Sequence, residues 1–233
     1  MSDQEQVRMA PVVTLDGPGG AGKGTISYML AKKLGWHLLD SGALYRVLAL
    51  AAQQHGISLD DEEELGRLAE VLDVQFRPAE DTPVCEVILE GREVSADIRT
   101  EVAGNNASIV AAHPAVRAGL LARQKAFQIA PGLIADGRDM GTVVFPAAPV
   151  KIFLTASTEE RGERRYKQLK EKGFDVSLRD LCNEIKTRDE RDANRAVSPL
   201  KPADDAVLLD STGLDVNEVF KQVLSVMTDK ALL

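Results

Sequence analysis

The chain has 233 residues, and its 44% hydrophobic and 27% charged residues are typical of a folded globular protein. Its 36 acidic and 28 basic residues give a formal net charge of −8, opposite to the balance expected of a protein that binds duplex nucleic acid. Two cysteines are too few for a disulfide framework, and no apolar run approaches the ~20 residues of a membrane span. We therefore expect a soluble cytoplasmic protein with reduced thiols and no nucleic-acid or membrane partner, with a monomer as the default.

The first predicted elements alternate between short apolar strands and helices. Residues 12–15 form a buried apolar run that ends in a glycine-rich turn, which is typical of a strand. Apolar residues recur at helical spacing over 25–34, and a second strand is predicted at 37–39. Two more helices are predicted, from about 44 to Gly56 and over 60–72, the second with acidic residues in its first turn.

A segment from about 70 to 100 interrupts this alternation. Residues 75–77 and 85–89 have strand-like patterns, and Glu90-Gly91 provides a turn next to them. We therefore predict an insert that contains a small antiparallel sheet.

The alternation resumes in the second half of the chain. Two helices are predicted at about 100–112 and 114–129, with Pro114 in a favourable first-turn position. Further strands are predicted at 133–135, 150–154 and 207–209, and further helices from 157, over 178–191 and over 216–226. The sequence Ser157-Thr158-Glu159-Glu160 fits a capping box. Short apolar strands separated by helices favour a parallel sheet covered on both faces.

The turn after the first strand is a candidate phosphate-binding loop. It consists of Gly17, Pro18, Gly19, Gly20, Ala21, Gly22, Lys23, Gly24 and Thr25. Glycines allow backbone N–H groups to converge on phosphate oxygens, and the following helix contributes its positive end. Lys23 would bind the β- and γ-phosphates, and the Thr25 hydroxyl would face Mg²⁺, directly or through water. The common pattern has Ser or Thr directly after the lysine, whereas Gly24 intervenes here, and this variant resembles the loop of nucleoside monophosphate kinases. A purely structural glycine-rich turn is the alternative.

Polar segments also follow two other predicted strands, where parallel sheets place ligands. Residues 40–46 and 136–139 would bind a second anion, or would form a capped helix and a turn with a local ion pair. Arginines then recur at helical spacing on the two helices that follow the 150–154 strand. They are Arg161, Arg164, Arg165, Arg188, Arg191 and Arg195. Such a run is either a solvated surface or a set of phosphate-binding cations.

Four segments together resemble the bacterial cytidylate (CMP) kinases, which belong to the P-loop nucleoside monophosphate (NMP) kinases. They are residues 17–25, Asp40-Ser41-Gly42-Ala43-Leu44-Tyr45-Arg46, residues 134–142, and the segment from Arg188 to Arg195. The resemblance runs in order from about residue 11 to residue 210. It implies an α/β fold in which 1–233 is a single kinase unit with a parallel sheet core flanked by helices. The implied subregions are a core at 10–40, 130–155 and 197–233, an extended NMP-binding region at 41–129 carrying the β insert, and a short lid at 157–195.

The resemblance also implies roles for single residues. The CMP phosphate would be bound by Ser41, Arg46, Arg138 and Arg195. Cytosine would be read by Ser108, Arg117 and Asp139, the ribose hydroxyls would be held by Arg188 and Asp192, and Tyr45 would belong to the same substrate-binding set. Arg161 and Arg165 would lie in the lid near the ATP phosphates. The implied catalytic set is Lys23, Arg138, Arg161, Arg165, Arg188 and Arg195.

The implied reaction transfers the γ-phosphoryl group of ATP, with Mg²⁺, to CMP or dCMP in pyrimidine nucleotide metabolism. The attacking oxygen belongs to a phosphate that is already anionic at neutral pH, so no general base is required. Another small-molecule kinase, acting on UMP, AMP or a non-nucleotide acid, is the alternative among enzymes. A nucleotide-responsive regulatory module is the alternative outside them.

Overall fold

The computed structural model describes residues 9–77, 86–171 and 173–232. Its strands are β1 (Val12–Asp16), β2 (His37–Asp40), β3 (Val74–Arg77), β4 (Glu86–Leu89), β5 (Arg92–Glu93), β6 (Leu133–Gly137), β7 (Val150–Thr155) and β8 (Val207–Asp210). Its helices are α1 (Lys23–Leu34), α2 (Ser41–Gln54), α3 (Glu62–Val71), α4 (Glu101–Val110), α5 (Pro114–Lys125), α6 (Thr158–Glu171), α7 (Leu178–Ala193) and α8 (Val216–Asp229). None of the helices in the described ranges is both long and apolar enough to cross a bilayer.

Within the described residues, five strands form one parallel sheet in the order β2-β6-β1-β7-β8. The register pairs Asp16 of β1 with Gly137 of β6, and Asp136 of β6 with Asp40 of β2. The carboxyl ends of these three neighbouring strands therefore lie side by side. This arrangement confirms the predicted parallel sheet core and brings the segments that follow the strands to one edge.

The sheet separates two apolar clusters, because successive strand residues face opposite sides. Leu133 and Ala135 of β6 belong to one cluster, with residues of α2, α3, α4 and α5, whereas Ile134 belongs to the other, with residues of α1 and α8. Leu44 and Leu30 are fully buried members of the first and second cluster, respectively. Both faces of the sheet are covered, as the short apolar strands predicted.

The predicted β insert is present between α3 and α4. Strands β3, β4 and β5 form an antiparallel sheet in that order, with Val74 paired to Leu89. Phe76 of β3 packs edge-on against Phe127 beyond α5, with ring centroids 6.3 Å apart. The part of the prediction that falls on 78–85, including Cys85, lies outside the described residues. Cys182 is a free thiol, as expected.

The predicted capping box at Ser157 is wrong. The Ser157 hydroxyl accepts a hydrogen bond from the Glu160 N–H (3.1 Å), but the Ser157 N–H donates to Thr212 Oγ1 (3.0 Å). The Glu160 carboxylate instead accepts from Arg164 Nε (2.9 Å). Thr212, in the loop after β8, thus binds the Ser157 N–H group that a capping box would pair with the Glu160 carboxylate. A complete capping box forms at the start of α8.

Candidate active site

The loop between β1 and α1 has a backbone that only glycine adopts readily. Gly17, Gly20 and Gly22 have φ values of 144°, 81° and 96°. A Cβ on Gly17 would lie 1.9 Å from the Leu154 carbonyl oxygen, so the loop is pressed against β7. The first turn of α1 follows directly, and its N–H groups lack partners within the helix. This arrangement of loop and helix N-terminus fits a phosphate-binding site.

Lys23 is buried at the start of α1, where it contacts the loop and β6. Its Nζ donates to the Pro18 carbonyl oxygen (2.9 Å) and lies 3.9 Å from Asp136 Oδ1. Burial lowers the pKa of Lys23 to about 8, and the neighbouring Asp136 opposes that shift. Burial likewise raises the pKa of Asp136 to about 7, against the positive charge of Lys23. A polyphosphate bound in the loop would add negative charge beside Lys23 and favour its protonated form.

The loop offers few oxygen groups to a metal ion. Thr25 lies exposed in the first turn of α1, and Asp136 Oδ2 lies 3.5 Å from the position of a Cβ on Gly24. No cluster of three or more histidine, cysteine or acidic side chains in the described part of the chain suits a metal. Mg²⁺ keeps several waters and is usually held by one or two protein oxygens plus substrate phosphates. The donor set therefore fits Mg²⁺ that arrives with a nucleotide.

A cavity of about 40 Å³ lies beside the loop and gathers most of the predicted substrate-binding residues. Its lining includes nine of the ten, namely Ser41, Tyr45, Ser108, Arg117, Arg138, Asp139, Arg188, Asp192 and Arg195. These residues come from α2, α4, α5 and α7 and from the residues that follow β6 and α7. The structure therefore brings together segments that are far apart in sequence. We call this space the acceptor cavity.

Asp192 is a buried carboxylate in the lining of the acceptor cavity. It is 1% exposed and accepts a hydrogen bond from Ser108 Oγ (2.8 Å). It pairs with Arg138, and its Oδ1 lies 3.6 Å from Arg195 Nη2. Burial opposes its ionisation, but Arg138, Arg195 and Arg188 together hold the pKa of Asp192 below its usual range. Asp192 thus fixes the positions of three predicted ligand-binding side chains.

Arg117 and Asp139 form a buried ion pair on one side of the acceptor cavity. Arg117 Nη1 also donates to the Ala111 carbonyl oxygen (3.2 Å), and its guanidinium carbon lies 5.6 Å from the centroid of the Tyr45 ring. A second cavity, of about 210 Å³, is also lined by this pair, with Val143 and Val144 among its apolar walls. The pair presents a hydrogen-bond donor and an acceptor together, which is the combination predicted to read cytosine.

Three guanidinium groups lie where the acceptor cavity meets the phosphate loop. A Cβ on Gly19 would lie 3.3 Å from Arg138 Nη2 and 3.8 Å from Arg188 Nη1. A Cβ on Gly104 of α4 would lie 3.0 Å from Arg188 Nη1 and 3.4 Å from Arg46 Nη2. Burial and the nearby Arg138 and Arg46 lower the pKa of Arg188 to about 9. Its Nε, like Arg195 Nη2, is buried without a hydrogen-bond partner in the described structure. This excess of positive charge fits a phosphate.

The arginines of α6 contact three different parts of the molecule. Arg161 is buried, and its guanidinium donates to the Gly19 carbonyl oxygen (3.0 Å) and to Asp189 Oδ2 (2.5 Å). Arg161 therefore lies at the phosphate loop, on the side predicted for ATP. Arg165 instead pairs with Glu101 at the start of α4. Arg164 donates to the Ser211 carbonyl oxygen (2.7 Å), and its Nη1 would lie 4.0 Å from a Cβ on Gly22 of the phosphate loop.

Two buried residues near the site were not predicted from the sequence to have a role. Gln124 of α5 accepts a hydrogen bond from Ser41 Oγ (3.1 Å). Asp16, the last residue of β1, accepts hydrogen bonds from the Met140 and Gly141 N–H groups, both at 2.8 Å. A carboxylate at a strand end directly before a phosphate loop is a signal that sequence reasoning could have used. Gln124 lies on an ordinary amphipathic helix and has no such signal.

The comparisons with known proteins agree with this geometry. The sequence profile of the family described as "Cytidylate kinase" matches residues 13–229. A cytidylate kinase of Stutzerimonas stutzeri is 60% identical over 226 residues, which cover 97% of this chain and 99% of that protein. Cytidylate kinases of Aeromonas hydrophila and Pseudomonas fluorescens are each 63% identical. The first alignment covers 94% of each chain, and the second covers 93% of this chain and 95% of the relative.

Proposed function

This chain belongs to the cytidylate kinase family and is a phosphotransferase, and we propose that it transfers the γ-phosphoryl group of ATP to CMP and dCMP. The products are ADP and CDP or dCDP. One observation supports this most: Arg138 and Arg188 of the acceptor cavity lie directly against Gly19 of the phosphate loop. A donor phosphate in the loop and an acceptor phosphate in the cavity would meet at these guanidinium groups.

On the donor side, the loop and α1 bind the ATP phosphates. Lys23 provides a positive charge at the loop, and Arg161 approaches it from α6. Mg²⁺, held by the Thr25 hydroxyl and the Asp136 carboxylate or their waters, would neutralise charge on the β- and γ-phosphates. These residues position the γ-phosphate toward the acceptor cavity.

On the acceptor side, the phosphate of CMP occupies the space beside Arg46, Arg138 and Arg188, with Ser41 and Arg195 nearby. Cytosine has an amine donor next to ring acceptors, whereas uracil reverses this pattern at N3 and O4. Asp139 accepts from the amine, and Arg117 donates to a ring acceptor. Uracil would set an acceptor against the Asp139 carboxylate and a donor against Arg117, and such a mismatch with buried groups is strongly penalised. Ser108 Oγ donates to Asp192 Oδ1 (2.8 Å), so the contact proposed for Ser108 with cytosine adjoins the contact proposed for Asp192 with the ribose.

Catalysis requires no general base, because an oxygen of the acceptor phosphate is already anionic. The side chains hold the two phosphates in line and stabilise the negative charge that spreads over the transferring group. Lys23 and the arginines that line the junction supply the positive charge. The cytoplasmic location, the monomeric state and the absence of nucleic-acid and membrane partners stay predictions from the sequence.

The proposed substrates are tested with a panel of monophosphates in a coupled assay of ADP release. We expect turnover with CMP and dCMP, and a kcat/KM for UMP lower by roughly 10²-fold or more, since uracil mismatches the Arg117–Asp139 pair. Two variants of α1 test whether the activity belongs to this chain. Lys23→Ala should abolish ADP release, whereas Lys32→Ala, an exposed change on the same helix, should leave ADP release unchanged. Preference for UMP or AMP would overturn the substrate assignment. Nucleotide binding without turnover of any monophosphate would support a regulatory module instead.

A further inference from the structure

The turn that follows β6 begins with an aspartate that does not cap it. Asp139 precedes a single π-helical turn, Met140–Val144, and occupies the position from which an aspartate normally caps a helical turn with its carboxylate. Asp139 makes no such hydrogen bond, because its carboxylate is paired with Arg117 in the acceptor cavity. The first N–H groups of the turn therefore require another acceptor.

Asp16 provides that acceptor from a different strand. Its two carboxylate oxygens accept one hydrogen bond each, from the Met140 and Gly141 N–H groups, both at 2.8 Å. Asp16 is 5% exposed and directly precedes Gly17 of the phosphate loop. The carbonyl oxygen of Asp139 accepts from Val143 N–H (2.9 Å), so the rest of the turn bonds within itself.

The packing around the turn leaves little room for another arrangement. A Cβ on Gly141 would lie 2.9 Å from Thr14 Oγ1 and 3.3 Å from Asp16 Oδ2, so the turn is pressed against β1. Burial and the negative charge of Asp139 raise the pKa of Asp16 to about 6, while the two backbone N–H groups and Lys23 oppose that shift. The geometry, with one N–H group donating to each carboxylate oxygen, suits the ionised form of Asp16.

We propose that Asp16 is a positioning residue for base selection: it caps the 140–144 turn in place of Asp139, so that the Asp139 carboxylate stays paired with Arg117 and faces the acceptor cavity. The inference rests on the proposed reading of cytosine by Asp139. It also connects the phosphate loop to the acceptor cavity, since the strand that ends at Asp16 continues into Gly17.

The test is Asp16→Asn, which keeps the shape of the side chain but turns one acceptor into a donor facing a backbone N–H. The turn then loses a hydrogen bond, and Asp139 becomes the best remaining cap for its own turn. We expect a roughly tenfold rise in KM for CMP and a similar loss of the CMP-over-UMP preference, with KM for ATP within about twofold of the wild type. The matched control, Asp60→Asn, changes an exposed aspartate and should alter none of these values.

A double variant separates positioning from a general structural role. If Asp16 acts through Asp139, adding Asp16→Asn to Asp139→Ala should leave the base preference of Asp139→Ala unchanged, so the two effects are not additive. Gly141→Ala, which displaces the same turn while keeping Asp16, should shift the preference in the same direction and replaces Asp16→Asn if that variant does not fold.

The outcomes distinguish this inference from the proposed function. A wild-type enzyme without preference for CMP over UMP overturns the proposed function and this inference with it. A wild-type enzyme that prefers CMP, with the same preference in Asp16→Asn and in Gly141→Ala, overturns only the inference. A loss of activity that is equal for both monophosphates also overturns it, because a purely structural role has that effect.

Discussion

Asp192 shows how a single side chain organises the acceptor cavity. Ser108, Arg138 and Arg195 reach it from three parts of the chain, and each bears a predicted role in substrate binding. Removing one partner from a buried ion pair leaves an uncompensated charge, which costs about 3–5 kcal/mol. The carboxylate therefore affects both the stability of the fold and the geometry of the site.

Asp192→Ala should raise the KM for CMP by tenfold or more, because the side chains that surround the acceptor lose their common partner. The KM for ATP should change less, since the side-chain partners of Asp192, namely Ser108, Arg138 and Arg195, line the acceptor cavity. Steady-state kinetics with each substrate varied in turn measures both values, and Glu184→Ala, an exposed change on the same helix, is the control. A larger effect on ATP than on CMP would contradict the assignment of Asp192 to the acceptor side.

The same variant has a predicted pH dependence. The pKa of Asp192 is lower in the folded protein than its usual value of 3.8, so its contribution to stability is present above that value. This contribution is lost as the pH falls through the folded-state pKa. The difference in unfolding free energy between wild type and Asp192→Ala should therefore shrink in acid, as urea titrations at several pH values would show.

The sequence was most informative about residues that belong to a continuous motif. Nine of the ten predicted substrate-binding residues line one cavity. Seven of them lie in the motifs at 40–46, 134–142 and 188–195, whereas Ser108 and Arg117 were assigned only through the family resemblance. Gln124 and Asp16 escaped prediction because their roles exist only across distant segments: 83 residues separate Ser41 from Gln124, and 125 separate Asp16 from Gly141. A motif fixes the local neighbours of a residue but not the partner that folding brings to it.

Helices α6 and α7 act as a pair whose close approach depends on one glycine. A Cβ on Gly162 would lie 2.4 Å from Cys182 Sγ and 3.5 Å from Leu178 Cδ1. The same pair of helices carries Arg161 and Asp189, which form the ion pair beside the phosphate loop. The distance between the two helices therefore controls how Arg161 reaches the loop.

Gly162→Ala should destabilise the protein by about 1–3 kcal/mol, because the added methyl group forces α6 and α7 apart. Cys182→Ala removes the clashing sulfur, so the double variant should recover part of this loss. Urea denaturation of the four proteins in the cycle measures the coupling between the two positions. Strictly additive free energies would show that the two side chains do not meet.

The elements were predicted more accurately than their ends. Every strand predicted outside 78–85 is present, because short apolar runs between turn residues admit few other structures. Helix α1 begins at Lys23, two residues before the predicted start, because the loop glycines make the turn that leads into it. The capping box predicted at Ser157 is absent because the Ser157 N–H group donates to Thr212, and the local sequence gives no sign of that contact.

At the scale of the whole molecule, the charge is distributed unevenly. The chain has a net charge of −8, yet the junction between the loop and the acceptor cavity is lined by Arg46, Arg138 and Arg188. A small anionic ligand responds to these nearby cations more than to the screened total charge. Acidic composition is thus compatible with two anionic substrates in one site.

Hydrolysis of ATP without an acceptor should be orders of magnitude slower than transfer to CMP. The arginines proposed to stabilise the transferring group come from both sides of the junction, and a filled acceptor cavity would exclude water from it. ADP release measured with ATP alone, with ATP and CMP, and with ATP and cytidine tests this expectation. Cytidine occupies the base position without offering a phosphate, so it should not replace CMP. Rapid ADP release without CMP would contradict the expectation.

The order of the central strands has a consequence for how the substrate range of such a protein can change. The phosphate loop follows β1, and its neighbour β6 leads into Arg138, so strand spacing of ~4.8 Å sets the distance between donor and acceptor chemistry. Ser108 and Arg117 instead lie on α4 and α5, outside the sheet. Substitutions on these two helices alter residues proposed to contact the base without changing either strand end. Asp139 directly follows Arg138, however, so part of base recognition stays tied to the strands that carry the phosphate-binding residues. A change of base preference that starts on α4 and α5 therefore disturbs catalysis less than one that starts at Asp139.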